Sequence, residues 1–413
     1  MSAEPIRPFA FDPFSKPVME NPLPFYAELR RNHPAYYSRE YDTFFFSRFD
    51  DVLEMLNYVD NTFVPSEGSL PTPDLLRGAR NNGPSPIPPH DPFPSAQRLG
   101  MPIYGDIRRA QGAPLKPAAV QKLADFVRDL ANRRLDELLP LGRFDLTREY
   151  GGIISASSIM KLFDLPLELA GEALDTVNAG SRTDPELGGV DATIGAAKCM
   201  AMFTPRIQQR IDAGADGSVP LIDGLVNYRI DGRALTAAEI AQQLVCAFIG
   251  GIETAPKIVS HGLMELAARP DQLAAVRADL EANVPKAVEE MIRYCAPAQW
   301  FARTAQKPVT IAGQAIRPGQ RAIFLVASAL RDEREFEAPD EFRWDRDIKR
   351  VLSFGHGVHY CIGVHLARME IRILVDTFLR RAQDFHFDMD RAVRHPSSFQ
   401  WGWNELPVIV GKA

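Results

Sequence analysis

The sequence predicts a mainly α fold with a smaller β-rich lobe. Three observations carry that prediction. Helical periodicity dominates from about Pro117 to Arg269 and returns in VHLARMEIRILVDTFLRRA near the C-terminus. Between these stretches VTIAGQAIRPGQRAIFLVASA alternates with period two and is broken by Gly313 and a Pro318-Gly319 turn, the pattern of short strands. No repeat or low-complexity linker divides the chain, so its 413 residues are read as a single domain, 1–413, although the length alone would allow two or three.

Taken in order, Asn21 to Arg31 suits an amphipathic helix, Thr43 to Ser47 a buried strand and Asp50 to Tyr58 a second helix. Ten of the 33 prolines then fall between Pro65 and Pro102, which removes backbone donors and restricts each preceding residue. Leu75, Leu76, Ile87, Phe93 and Leu99 are interleaved there, so the expectation is a long ordered loop packed onto a rigid body. Candidate helices follow at 117–139, 144–162, 166–178, 191–213 and 236–268, then 271–282 and 285–295. The fifth is the clearest, with Thr236 and Glu239 as a capping box and Arg269-Pro270 as a stop. Its roughly 30 residues span roughly 45–50 Å, enough to cross the centre of a domain. At its midpoint stands GGIETAP (250–256), two glycines, a proline and two polar side chains in an apolar run.

With 46% hydrophobic and 24% charged residues the chain reads as globular and soluble, and a net charge of −6 gives no reason to expect a nucleic-acid partner. Cys199, Cys246, Cys295 and Cys361 are far apart and without CxxC spacing, so a disulfide scaffold is not expected. No signal peptide or membrane span is visible, and a cytoplasmic monomer that contacts no membrane is expected.

Cys361 sits in FGHGVHYCIGVHLA, between a glycine-rich loop and the start of the last helix. Unpaired N–H donors and the helix dipole at such a terminus favour a thiolate. Gly355, Gly357 and Gly363 let backbone approach something flat, and Phe354 would cover one side.

This stretch resembles the haem-binding loop of the cytochrome P450 family, in which a Phe precedes a Cys by seven positions and a Gly follows two later. EMIR, from Glu290 to Arg293, resembles the family's E-x-x-R helix motif. Arg346 in FEAPDEFRWDR falls where the family places a third partner, and GGIET resembles its oxygen-activating segment. The likeness spans roughly residues 10–410. It implies haem b held between the long central helix and the cysteine loop, with Cys361 as the iron ligand and O2 as co-substrate. It also implies a salt-bridge network of Glu290, Arg293 and Arg346 bracing that loop. Propionate contacts are implied for Arg108, Arg303 and His359; the histidine often found four residues before Arg108 is replaced by Tyr104, expected to act as a substitute donor.

On the central helix, Cys246, Gly250 and Thr254 fall on one stripe with Ile249 and Glu253 beside it. Gly250 and Gly251 are expected to leave room for dioxygen, and the Thr254 hydroxyl to bond back to the Gly250 carbonyl. Thr254 and Glu253 are then the expected proton-delivery pair, with the carboxylate connecting to solvent. Pro256 is expected to widen or fix a kink. The resemblance implies a pocket lined by Cys246, Ile249, Gln299, Trp300, Phe301, Trp401 and the proline-rich loop, suited to a hydrophobic small molecule. Arg77, Arg80 and Arg98 in that loop are expected to face solvent, with a substrate carboxylate as the alternative partner. Without a visible flavin or iron–sulfur domain, electrons are expected from a separate 2Fe–2S ferredoxin and its reductase, docking near Arg109, Lys116, Lys349 and Arg350.

Overall fold

A computed structural model describes residues 9–78, 83–183 and 192–411. The main helices are α1 Leu23–Asn32, α2 Phe49–Asn57, α3 Ile103–Gly112, α4 Ala124–Leu138, α5 Ile153–Phe163, α6 Ala170–Gly180, α7 Ala192–Ala213, α8 Pro220–Val226, α9 Ala237–Ala267, α10 Pro270–Ala278, α11 Leu280–Tyr294 and α12 Val364–Arg381. The β lobe is a five-stranded sheet in the order β1-β2-β6-β5-β3. Its strands are β1 Ala35–Ser38, β2 Thr43–Phe46, β3 Phe63–Val64, β5 Trp300–Ala305 and β6 Arg321–Leu325. Strand β6 runs parallel to β2 and antiparallel to β5. A second sheet joins β4 Arg143–Asp145 to the C-terminal β7 Phe385–Phe387 and β8 Pro407–Val410.

Helix α9 crosses the molecule. Its 31 residues extend about 47 Å. The Thr236–Glu239 capping box forms as its spacing requires. Residues up to Ile252 pack into one apolar cluster with α5, α6 and α7, and those from Ala255 onward pack into another with α4, α11 and α12. GGIETAP therefore occupies the seam between two cores. The proline-rich loop docks on the first turns of α9, where the Ala96 N–H donates to Gln243 Oε1 at 2.8 Å and Gln243 Nε2 donates to the Pro94 carbonyl at 3.1 Å.

Two expected helices are interrupted, the second by a tertiary pairing. The 117–139 segment breaks at Lys122-Leu123 into a short helix, Pro117–Gln121, and α4. The 144–162 segment starts as β4, passes through a π-helical turn at Leu146–Gly152, and only then becomes α5. The cause lies at the far end of the chain: β4 pairs with β8, and the Leu406 N–H donates to Asp145 Oδ2 at 3.1 Å. Among the described residues no helix is long and apolar enough to cross a membrane.

Candidate active site

The cysteine loop is shaped by its own backbone. The Cys361 N–H donates to the Phe354 carbonyl at 2.8 Å, and Gly355 and Gly357 adopt φ of 69° and 67°. A Cβ on Gly357 would lie 2.2 Å from the Leu56 carbonyl oxygen, so this glycine permits contact with α2 as well as the turn. Burial pushes the Cys361 thiol up, while the Gly363 N–H, Arg108 and Arg368 pull the other way. Burial thus outweighs the helix terminus, and the thiolate expected from sequence requires a bound metal.

Glu290, Arg293 and Arg346 come together as one buried network. The Arg293 guanidinium grips Glu290 bidentately at 2.7 and 2.8 Å, and Arg346 Nε donates to both Glu290 oxygens at 3.2 Å. The Glu290 and Arg293 side chains are 0% exposed, which separates this network from weak surface ion pairs. The tie to the cysteine loop comes from residues outside the motif. Ser353 Oγ donates to the Ile292 carbonyl at 2.8 Å, and Arg368, paired with Glu289 at 2.8 Å, lies over the Phe354 ring. A lone serine and a helix-surface ion pair leave no sequence signal of such a role.

Beside the loop Tyr104, Arg108, Arg303 and His359 converge. The Tyr104 and His359 rings stack at 4.3 Å, and Arg108 donates to the Tyr104 hydroxyl at 3.2 Å and to the Tyr360 carbonyl. Burial brings Arg303 down to about 10. His359 is pushed to about 3, by burial first and then by the two guanidiniums. No carboxylate pairs with Arg108 or Arg303 among the described residues. Two arginines and a histidine gathered without an acid form a cradle for anions brought by another molecule, and the two propionates of haem fit it. Among the described residues no cluster of three or more His, Cys, Asp or Glu could hold a bare metal ion, so a single cysteine beside this cradle fits a metal delivered inside a macrocycle.

Helix α9 presents the expected stripe. Cys246 is exposed, an added Cβ on Gly250 would meet nothing within 4 Å, and Thr254 is half-buried. The Thr254 hydroxyl donates to the Gly250 carbonyl at 2.9 Å. Gly251 differs from its expectation: a Cβ there would lie 2.3 Å from Ile159 Cδ1, so it serves the packing of α9 on α5. Pro256 lies within an unbroken α9, and its ring packs against Gly151.

Glu253 also differs. It is buried rather than open to solvent and accepts hydrogen bonds from the Ser181 hydroxyl and from Gln400 Nε2 at 3.1 Å. The Lys257 ammonium lies 3.2 Å away, and both side chains are 2% exposed. His395 Nε2 stands 3.7 Å from the same carboxylate and is held neutral, near 3, by burial and then by Lys257. The i,i+4 spacing of Glu253 and Lys257 was readable in the sequence; Ser181, His395 and Gln400 were not, since they arrive from distant segments.

A cavity opens beside this cluster, with Ile249, Trp300, Val177, Leu70 and Phe399 in its walls. Of the expected pocket residues, Ile249 and Trp300 line it, and Phe301 packs edge-on against Phe399 at 5.3 Å. Gln299 is spent on structure, accepting from the Tyr26 hydroxyl at 2.8 Å and donating to the Ser398 carbonyl at 3.0 Å. Trp401 lies elsewhere, edge-on to His261 at 5.7 Å. Arg77 is held by Glu40 and Arg98 by the Ser66 carbonyl, each at 2.8 Å, while Arg80 lies outside the described residues. Of the four expected docking cations, Arg109, Lys349 and Arg350 are paired with Asp106, Asp347 and Glu335.

Comparison with known proteins decides the family. The sequence model of the family described as Cytochrome P450 matches residues 191–409. The putative cytochrome P450 123 of Mycobacterium tuberculosis is 30% identical over 404 residues, 97% of this chain and 96% of that protein. This chain belongs to the cytochrome P450 family. Cytochrome P450 130 of the same species is 28% identical, with 92% of each chain covered. Among solved structures, CYP109Q5 from Chondromyces apiculatus superposes with a TM-score of 0.78 at 27% identity, covering 98% of this chain and 99% of that one. CalO2, at 24% identity and TM-score 0.80, covering 98% and 99%, shares the fold. As a P450 this protein is a haem-thiolate monooxygenase, with haem b as cofactor and O2 as co-substrate.

Proposed function

We propose that this P450 inserts one oxygen atom from O2 into a hydrophobic small molecule, and that a separate 2Fe–2S ferredoxin and its reductase supply the electrons. The haem supplies a redox-active iron whose thiolate ligand favours O–O cleavage. In this reading Cys361 is that ligand, and Arg108, Arg303, His359 and Tyr104 hold the propionates. Glu290, Arg293 and Arg346 brace the loop.

The observation that carries the reading is the open stripe of α9. Gly250 keeps the space beside it clear, and the Thr254 hydroxyl is anchored to the Gly250 carbonyl at 2.9 Å. The hydroxyl orients a proton donor there, and Glu253, one residue away, is the carboxylate from which protons reach it. Because Glu253 is buried against Ser181, Lys257 and Gln400, its link to water runs through this cluster rather than directly to bulk solvent. The apolar wall of Ile249, Val177, Leu70, Phe399 and Trp300 suits a hydrophobic substrate. Pairing of three of the four basic docking residues with carboxylates places less weight on simple charge attraction and more on shape at the ferredoxin contact.

The test is the carbon monoxide difference spectrum of the reduced protein. A band at the thiolate-haem position, lost on Cys361→Ala, is the expected result. A band at the histidine-haem position would remove the reading.

A further inference from the structure

The cavity beside α9 carries a charge imbalance that its apolar walls do not explain. Two charged side chains line it, Glu253 and Arg182. Glu253 is neutralised by Lys257 at 3.2 Å. Arg182 is exposed and has no carboxylate partner among the described residues. The arginines of the proline-rich loop that are described, Arg77 and Arg98, are engaged with Glu40 and the Ser66 carbonyl. Among the described residues Arg182 is thus the charge of this cavity without a counter-ion.

A second donor faces the same space. Ser397 is 1% exposed and lines the cavity. Its oxygen accepts from the Phe399 and Gln400 N–H groups at 3.2 and 3.0 Å. Its hydroxyl hydrogen has no acceptor among the described residues, so a buried O–H remains to be satisfied. The segments that carry the two donors are adjacent: the Thr183 N–H donates to the Pro396 carbonyl at 2.7 Å, and the Thr183 and Ser398 hydroxyls, 3.3 Å apart, line the same cavity. A guanidinium and an unspent O–H from adjacent segments, in a cavity whose apolar walls include Val177, Leu70, Phe399 and Ile249, describe a site for an amphipath with one anionic end.

We propose that this enzyme takes an apolar monocarboxylic acid, with the carboxylate held by Arg182 and Ser397 and the apolar body extending past Val177, Leu70 and Phe399 towards Ile249. A guanidinium binds a carboxylate through charge-assisted hydrogen bonds, whereas the matching ester or alcohol gains no ionic contact there. Any cationic substrate would meet Arg182 with repulsion. The inference rests on the monooxygenase reading above, as a statement about which substrate class that site accepts.

The experiment is an optical titration of the haem-loaded protein with dodecanoate, methyl dodecanoate and dodecan-1-ol, following the substrate-induced spin-state shift. The acid should bind about tenfold to a hundredfold more tightly than the ester or alcohol. Arg182→Gln should bring the acid down to the affinity of the ester, removing that preference, and Arg182→Lys should retain part of it. Ser397→Ala gives a second arm, weakening the acid by a smaller factor than Arg182→Gln does. Equal affinities in the parent protein, a preference that survives Arg182→Gln, or no shift with any of the three overturns the proposal. Loss of the thiolate carbon monoxide band would instead overturn the monooxygenase reading; an intact band without acid preference overturns the Arg182 assignment alone.

Discussion

Thr254 and Lys257 stand three residues apart on α9 and do different work. Among the described residues Thr254 has no charged partner; its bond to the Gly250 carbonyl is the contact that aims it. Thr254→Ala should leave folding intact and lower the product formed per reductant consumed about tenfold or more, the balance appearing as hydrogen peroxide. Parallel assays of reductant, peroxide and product would check this. Lys257 is the buried counter-ion of Glu253. Lys257→Met strands a carboxylate in the core and should cost about 3–5 kcal/mol in chemical denaturation. The double variant with Glu253→Gln should recover part of that loss, because both charges are then gone. The i,i+4 pairing was open to sequence reading, but the burial that makes it matter was not. Burial is decided by the segments around Ser181 and Gln400, more than seventy residues away on either side.

At the scale of the element, GGIETAP is a seam in α9 where each small residue answers a different neighbour. Gly250 faces open space, Gly251 faces Ile159 of α5, and Pro256 faces Gly151. Alanine adds the same helix propensity at both glycines, so comparing the two variants isolates the contact. Gly251→Ala should be less stable than Gly250→Ala by about 1–3 kcal/mol, since its Cβ would lie 2.3 Å from a buried side chain. Gly250→Ala should fold at least as well as the parent and show an altered haem spectrum. Thermal or denaturant melts, paired with the optical spectrum, would measure both. Glycine in a helix is visible in a sequence; which side of the helix has a neighbour is not, because α5 is brought there by packing that no local pattern encodes.

For the whole molecule, two buried groups pull the pH dependence of stability in opposite directions. Glu370 on α12, bonded to the Ser155 hydroxyl of α5, is raised from 4.5 to about 7 by burial. The folded state then holds a proton that the unfolded chain has released, so this group lowers stability as pH rises from 4.5 towards 7. His395 is depressed from 6.5 to about 3, so the unfolded chain binds the extra proton and stability falls as pH drops from 6.5 towards 3. Each slope is about 1.4 kcal/mol per pH unit at most, and between 4.5 and 6.5 they oppose one another. Glu370→Gln should raise stability above pH 7 and unmask the acid-side slope to which His395 and His359 both contribute. Unfolding free energies measured from pH 5 to 8 in both proteins would show it.

The sequence by itself determined the family, the α-dominated architecture, the central helix with its capping box, the cysteine loop and the Glu290–Arg293–Arg346 set. These are local or motif-borne: a heptapeptide, an i,i+3 pair, a periodicity. Only the tertiary structure decided that Glu253 is buried against Lys257, that Gln299 and Trp401 serve the core, that β4 interrupts an expected helix, and that Arg182 lines the cavity without a carboxylate partner among the described residues. Those depend on pairings between segments far apart in the chain, where each side chain's burial and partners are set by what packs against it rather than by its neighbours in sequence.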